Sequence, residues 1–177
     1  GGTGALEWWT YVGGGAMQLS GAAATSDGGY VISGFSSATF TNASCPSALN
    51  PHSGSAYDIF IAKLSSTGTT QWCTFLGGTA NDYGQIIRQA SDGSYFFTAH
   101  IDANTGNIAA VSPLAPYVAL QDIAVFKLNS SGGLTWFTYL GSSGADSASG
   151  LEITADGGGI VAGKFAANPG TLDSFSY

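Results

Sequence analysis

The sequence predicts an all-β protein made of tandem four-stranded antiparallel blades, about three propeller-like repeats with a period of 64 residues. The repeats show first in three similar segments, WWTYV, WCTFL and WFTYL, which begin at Trp8, Trp72 and Trp136. Short stretches of alternating apolar residues are separated by turns rich in glycine and aspartate. No segment has a sustained helical period, so the class is all-β.

The second copy contains the four strands, named a to d, in their most complete form. Strand a is DIFIAKL from Asp58, which is apolar on both alternating faces and is typical of a strand buried on both sides. A short turn leads to strand b, TQWCTFL from Thr70. A polar loop leads to strand c over 85–90, and an Asp-Gly hairpin turn leads to strand d, YFFTA from Tyr95.

The same order of strands recurs in the other two copies. The third copy has its strand a at Asp122 and its strand b at Leu134, while the first copy enters late, at the strand b segment ALEWWTYV. Two long inserts separate the copies. As one repeat array over 1–177, the chain divides into a partial repeat 1 at 1–35, an insert at 36–57, repeat 2 at 58–100, an insert at 101–121, repeat 3 at 122–165 and a tail strand at 171–177.

This array is permuted, so that the chain begins and ends within a blade. The first blade lacks a strand a, and the tail resembles the start of one, although Asp173 follows Asp122 by 51 residues rather than 64. An open strand edge has to be covered. The chain can close on itself, belong to a longer protein, or complete the first blade of a neighbour with its tail, which builds a filament. Because the strands balance to whole blades, we favour the filament, with an assembly strand formed by Thr171, Leu172, Asp173, Phe175 and Tyr177.

The repeated motif has a specific residue order: Asp-x-Phe-x-x-Lys-Leu, a turn, Trp-x-Thr-Tyr-Leu-Gly-Gly, an aspartate loop, Asp-Gly, and a Tyr-Val-x-x-Gly strand. In this order it resembles the bacterial β-propeller repeat family often called SBBP repeats. The resemblance implies a secreted or surface-exposed bacterial protein with a scaffold or adhesive role. The long inserts and the low number of blades depart from the family, since a ring normally needs four or more. The residues that carry the motif are Asp58, Phe60, Lys63, Leu64, Trp72, Thr74, Leu76, Gly77, Gly78, Asp82 and Asp92, and, in the third copy, Asp122, Lys127, Leu128, Trp136, Thr138, Tyr139, Leu140, Gly141, Asp146 and Asp156.

The composition argues against several partners. The formal net charge is −7, only 8% of residues are charged, and four residues are basic, which is too few for a cationic patch that binds nucleic acid. No apolar run reaches the ~20 residues that span a bilayer. A polar and weakly charged surface favours an extracellular or cell-surface location.

Cysteines and glycosylation motifs are the candidate sites of covalent modification. Cys45 and Cys73 allow one disulfide, although Cys73 also suits a small buried apolar residue, because other copies place Trp9 and Phe137 at its position. Glycosylation candidates are Asn42 and Asn129, each in an Asn-x-Ser sequon, and Ser147, in a motif that resembles bacterial O-glycosylation sites.

The acidic and aromatic residues have two interpretations each. Asp82 and Asp146 in the b–c loops are weak calcium candidates, because Ca²⁺ needs about six to eight oxygens; capping of a turn by the side chain explains them as well. The repeated tryptophans Trp8, Trp72 and Trp136 suit core packing better than a sugar-stacking platform, while Trp9 suits either role.

No catalytic residue or cofactor is predicted. Glu7 and Glu152 occupy non-equivalent positions and form no predicted acid pair, and His52 and His100 have no partner at metal-ligand spacing. The sequence therefore predicts a non-enzymatic structural or adhesive protein that associates with itself and carries glycans. A carbohydrate- or ligand-binding module that uses the inserts is the alternative, and a hydrolase is a more remote one.

Overall fold

The computed structural model describes residues 8–40, 44–54 and 56–167, and within them it confirms an all-β fold of antiparallel sheets. A single turn of 3-10 helix lies at Ile108–Ala110. The ten strands are β1 (Met17–Ala24), β2 (Tyr30–Ser36), β3 (Asp58–Leu64), β4 (Thr70–Leu76), β5 (Asp82–Gln89), β6 (Tyr95–Ile101), β7 (Asp122–Leu128), β8 (Leu134–Leu140), β9 (Ser147–Ile153) and β10 (Gly159–Lys164).

These strands form three sheets, which divide the chain differently from the repeats. The first sheet has the order β1-β2-β3-β4, the second β5-β6-β7-β8, and the third contains β9 and β10. Each complete sheet therefore joins strands c and d of one copy to strands a and b of the next, across the long insert.

Two of the sequence predictions are corrected by this pairing. The prediction that the strands of 58–100 form one blade is wrong, because the break between sheets falls inside that repeat, between β4 and β5. The first blade does not lack a strand either: the first sheet has all four, and the sheet with two described strands is the last one. A tail at the first sheet would therefore have no vacant position to fill.

The sheets stack in chain order, with a separate apolar core in each gap. The first and second sheets enclose a cluster around Ile59, Phe97 and Phe126, and the second and third enclose one around Phe96 and Leu151. Phe96 and Phe97 are neighbours in β6 and point to opposite faces, so the first and third sheets lie on opposite sides of the second. This placement explains why β3 and β7 are apolar on both faces: both sides of each are covered.

The inserts pack against the sheets rather than extending away from them. In the first insert, the Leu49 amide donates to the Cys73 carbonyl oxygen at 2.9 Å, and the Phe75 amide donates to Asn50 at 3.0 Å. The second insert repeats the arrangement, because the Leu114 amide donates to the Phe137 carbonyl oxygen at 3.0 Å. Each insert thus covers the outer edge of the strand b that follows it, β4 or β8.

The hairpin turns use glycine at the position that needs positive φ. In the β1–β2 turn, Gly28 has φ of 79° and its amide donates to Thr25 at 2.9 Å, while the Asp27 side chain accepts from the Gly29 amide. Glycine has no Cβ and adopts this conformation at little cost. The β5–β6 and β9–β10 turns repeat it at Gly93 and Gly157.

Candidate functional site

The outward face of the third sheet exposes an apolar position that the other sheets bury. Ile160 in β10 follows an Asp-Gly turn by the same number of residues as Val31 in β2 and Phe96 in β6. Val31 is 0% exposed and Phe96 3%, because each faces the next sheet of the stack, whereas Ile160 is 61% exposed. The third sheet therefore presents the surface on which a further sheet would pack.

The edge of β10 is the second exposed feature of this sheet. In the first and second sheets, strands β2 and β6 pair along their full lengths with β3 and β7. Within the described residues, β10 pairs only with β9. A strand edge of this kind leaves backbone donors and acceptors that can pair with another strand.

Residues 8–12 have the sequence of a strand b but belong to no described strand. Trp9 and Tyr11 are 78% and 70% exposed. Their equivalents in β4, Cys73 and Phe75, are fully buried. The apolar residues of strand b are thus buried in the second and third copies and exposed in the first, which is the pattern of a strand without its sheet.

Trp8 nevertheless contacts the first sheet as Trp72 contacts the second. The Trp8 ring lies 5.5 Å from the Tyr30 ring at 66°, and the Trp72 ring lies 5.6 Å from the Tyr95 ring at 67°. Each indole also covers a turn glycine: a Cβ on Gly68 would lie 2.8 Å from Trp8.

A Cβ on Gly132 would meet Trp72 in the same way, at 2.7 Å. The tryptophans of strands b are therefore half-buried contacts between successive sheets, which refines the prediction of core packing. The ring of Trp136 lies 5.8 Å from that of Phe96 in the same sheet, and Trp136 packs against the apolar cluster between the second and third sheets.

The motif lysines bind the hairpin aspartates. Buried Lys63 donates to both oxygens of Asp27, at 3.0 and 2.8 Å, and Lys127 approaches Asp92 at 3.4 Å. The hydrogen bond from Lys63 is the main reason that the pKa of Asp27 is well below its usual range. These pairs join the c–d turn to strand a within one sheet, so the lysines are structural.

The b–c loops, where the chain crosses from one sheet to the next, are held by buried aspartates. The Asp82 side chain accepts from the Gly78 amide at 2.7 Å, and its own amide donates to Tyr57 at 2.6 Å. The equivalent Asp146 accepts from the Ser142 amide at 2.5 Å and from the Ser142 hydroxyl at 2.8 Å. Each aspartate caps its own loop, which is the role that the turn-capping alternative gives it.

A second buried aspartate lies beside each crossing. A Cβ on Gly77 would be 2.7 Å from Asp82 Oδ2 and 2.8 Å from Asp58 Oδ1, so both carboxylates converge on this glycine. Burial raises the pKa of Asp82 to about 7, and the nearby Asp58 charge adds to the shift. Burial also raises the pKa of Asp122, which lies beside the second crossing. Within 8–40, 44–54 and 56–167, no three potential metal ligands lie close enough to hold an ion.

Replacing Asp82 by asparagine is expected to remove part of the pH dependence of stability. Because the folded pKa of about 7 exceeds the usual aspartate pKa of 3.8, the stabilising contribution of the protonated side chain is complete below about pH 4 and is lost as the pH rises through 7. Asp82→Asn should therefore match the wild type near pH 4 and be more stable by a few kilocalories per mole near pH 8, since each pKa unit corresponds to about 1.4 kcal/mol. Urea denaturation at both pH values measures the difference.

The control for this prediction is Asp156→Asn. Asp156 is exposed, and a hydrogen bond from Thr154 lowers its pKa, so its contribution is lost only as the pH falls below about 4. Its effect should therefore be constant between pH 4 and pH 8. An Asp82→Asn effect that is equally constant would contradict the buried, protonated state of Asp82.

The candidate modification sites differ in accessibility. Asn129 is exposed in the β7–β8 turn, but its side-chain oxygen accepts from the Ser131 and Gly133 amides at 2.9 and 3.0 Å. Ser147 is half-buried at the start of β9. Asn42 and the tail residues of 171–177 lie outside the described residues.

The remaining candidates occupy structural positions. Cys45 and Cys73 form a disulfide that joins the first insert to β4, and both residues are buried. His52 Nε2 lies 3.1 Å from the Ser36 carbonyl oxygen, and the Ala148 amide donates to His100 Nε2 at 3.2 Å. Burial lowers the pKa of His100.

The exposure of Ile160 is the feature that sequence reasoning missed. The signal was present, because Val31, Phe96 and Ile160 are apolar residues at one fixed distance after Asp-Gly. Within the described residues, no helix has the length and apolarity to cross a bilayer. Comparison of the sequence with protein-family models and with curated proteins finds no match.

Proposed function

We propose that this chain is an extracellular structural subunit that assembles head to tail by continuing its stack of sheets from one copy to the next. The observation that carries the proposal is the third sheet, which has two described strands and an exposed Ile160 where the other sheets are complete and covered. Strand addition to such a sheet supplies backbone hydrogen bonds, and a contact between unlike surfaces repeats without closing.

The construction of the stack supports growth by whole sheets. Each gap between sheets is filled by apolar residues from both sides, so adding a sheet on the outward face of β10 repeats an arrangement that the chain already contains twice. Burial of an exposed apolar side chain there contributes about 1.5–3 kcal/mol. A scaffold or adhesive role, as in the SBBP repeats that the motif resembles, suits such an assembly.

The location outside the cell is supported by the disulfide and the surface. Disulfides persist in oxidising compartments and are rare in the cytosol. The Cys45–Cys73 bond closes over the core of the first insert, around Phe40 and Phe75, so it belongs to the folded framework. The first insert packs Phe40 against Phe75 of β4, which favours the structural function over ligand binding by the inserts.

Ile160→Glu is expected to raise the concentration needed for assembly at least tenfold. The substitution removes an apolar contact and places a charge on a surface that becomes buried, and each 1.4 kcal/mol is a factor of ten in affinity. Sedimentation velocity and negative-stain electron microscopy give the measurement. The matched control is Leu114→Glu, an equally apolar and half-exposed residue of the second insert, away from the third sheet. Fibres of Ile160→Glu at the wild-type concentration would contradict the proposal.

A further inference from the structure

We propose that the buried side chains of Asp58 and Asp82 share one proton, and that loss of this proton loosens the crossing from the first sheet to the second. Asp58 begins β3, and Asp82 begins β5, directly after the loop that makes this crossing. Both residues are 0% exposed. The shared proton is a property of the single chain and does not depend on the proposed assembly.

The two carboxylates lie close enough to repel each other when both are ionised. A Cβ on Gly77 would be 2.7 Å from Asp82 Oδ2 and 2.8 Å from Asp58 Oδ1, so these two oxygens lie within about 5.5 Å of each other. Like charges at this distance disfavour double ionisation, and burial adds to the penalty. Two carboxylates in such surroundings retain one proton between them.

The hydrogen bonds of the pair leave a place for that proton. Asp58 Oδ2 accepts from the Ser53 amide at 2.6 Å and from the Ser53 hydroxyl at 2.9 Å, and Asp82 Oδ2 accepts from the Gly78 amide at 2.7 Å. The Oδ1 atom of each aspartate is buried and has no hydrogen-bond donor among the described residues. A buried acceptor without a donor is costly. Protonation makes one aspartate a donor to the other, so a single proton satisfies both Oδ1 atoms.

In the described part of the chain, no cation takes the place of this proton. His52 Nε2 lies 3.9 Å from Asp58 Oδ1, but it is 3.1 Å from the Ser36 carbonyl oxygen, which can only accept, so the Nε2 proton points to Ser36. The lysines and the arginine that form ion pairs there do so with other acids, and no third metal ligand joins the two aspartates. The other titratable side chains around the pair are acids or phenols: Tyr57, Tyr83, Asp102, Tyr117 and Tyr139.

The shared proton is lost around neutral pH. Burial raises the pKa of Asp82 to about 7, and the charges of Asp58 and Asp102 add to the shift. A group with a raised folded pKa stabilises the fold below its usual pKa and loses that contribution as the pH rises through the folded value. The crossing is thus held closed in acid and loosens above neutral pH, because two buried negative charges then face each other.

The second crossing has equivalent aspartates but different hydrogen bonds. Asp146 Oδ2 accepts from the Ser142 amide at 2.5 Å, and Asp146 Oδ1 accepts from the Ser142 hydroxyl at 2.8 Å and from the Ala166 amide at 2.9 Å. Of the two aspartates at this crossing, only Asp122 has a buried oxygen without a partner among the described residues. A proton on Asp122 would find no unpartnered oxygen on Asp146, so we assign the shared proton to the first crossing.

Carboxyl-carbon NMR of the wild type, labelled at its aspartates, tests the shared proton without requiring any variant to fold. The signals of Asp58 and Asp82 should shift together through one midpoint near pH 7, because loss of a shared proton changes both groups. Excess calcium chloride should leave this titration unchanged. An Asp58 signal that stays constant while Asp82 titrates would overturn the proposal. A titration that calcium abolishes would also overturn it, because a cation would then neutralise the pair.

Hydrogen exchange at the Gly78 amide, which donates to Asp82 across the crossing loop, measures the loosening. Between about pH 5 and pH 8, protection of this amide in the wild type, corrected for the intrinsic exchange rate, should fall at least tenfold, since each pKa unit corresponds to a factor of ten. In Asp58→Asn and in Asp82→Asn the fall should be less than about threefold, because the asparagine amide supplies the missing donor at every pH.

Asp102→Asn is the matched control. It removes a charge that acts on Asp82 but leaves Asp58 in place, so the fall in Gly78 protection should persist. An Asp58→Asn variant in which Asp82 still titrates near pH 7 would show that burial alone holds the proton, and the pairing would be wrong. Protection that falls equally in the wild type and in Asp82→Asn would show that the pair does not control the crossing.

Discussion

Replacing Phe126 by alanine is expected to lower the free energy of unfolding by about 4 kcal/mol, within the range that buried Phe→Ala substitutions show. Phe126 in β7 is fully buried in the gap between the first and second sheets. Its ring stacks on that of Phe97 at 4.6 Å and on that of Phe137 at 5.1 Å. These rings come from three adjacent strands, so the cavity cannot close without moving the sheet.

Guanidinium denaturation followed by tryptophan fluorescence measures this effect. Val118→Ala is the control, because Val118 is 54% exposed in the second insert and its truncation leaves no cavity. Its cost should stay within about 0.5 kcal/mol, as for ordinary surface substitutions. A loss below about 1 kcal/mol for Phe126→Ala would show that the gap between the sheets is loosely packed.

Removing the disulfide, by Cys45→Ala with Cys73→Ala, is expected to cost about 3 to 4 kcal/mol. The bond closes a loop of 28 residues, and a cross-link over this length restricts the unfolded chain by roughly that amount. Most of the first insert lies inside the loop. We therefore expect the insert to become sensitive to proteases before the second sheet does.

Comparison of the double variant with the wild type in reductant checks the origin of the effect. Reduced wild type and the double variant should unfold at similar denaturant concentrations, and reductant should not change the variant further. Coincident unfolding of the variant and the oxidised wild type would mean that packing around Phe40 and Phe75 alone holds the insert.

The strands and turns were accessible from the sequence because local rules specify them. Apolar residues on both faces located β3 and β7, and the Asp-Gly pairs located the hairpins, since few residues other than glycine adopt the positive φ seen at Gly28 and its equivalents. These features depend on residues close in sequence. The antiparallel class followed from the same short hairpins.

The grouping of strands into sheets was not accessible in this way. A repeat of period 64 can be divided into sheets at any point, and the long inserts suggested that each sheet begins and ends at an insert. In the fold, the long insert 36–57 connects paired strands, and the short loop between β4 and β5 crosses between sheets. The crossing is held by Asp82, whose bonds to Gly78 and Tyr57 are visible only in three dimensions.

The strand character of residues 8–12 was predictable from the sequence, but the exposure of their side chains was not. Trp8 to Val12 matches strand b residue by residue, so its strand character follows from the repeat. Whether Trp9 is buried depends on what packs against it, and no property of the segment itself decides that. The exposure of Ile160 was equally unpredictable, because the residues that bury its equivalents, Val31 and Phe96, come from the next copy of the repeat.

The inserts that run along β4 and β8 limit how copies of the chain in the proposed assembly can pair sideways. The carbonyl oxygens of Cys73 and Phe137 and the amides of Phe75 and Tyr139 are already bonded to the inserts, so the first two sheets cannot extend by pairing at their β4 and β8 edges. For the proposed assembly we therefore expect thin fibrils rather than ribbons paired along these edges, so that solution viscosity rises as the fibrils lengthen.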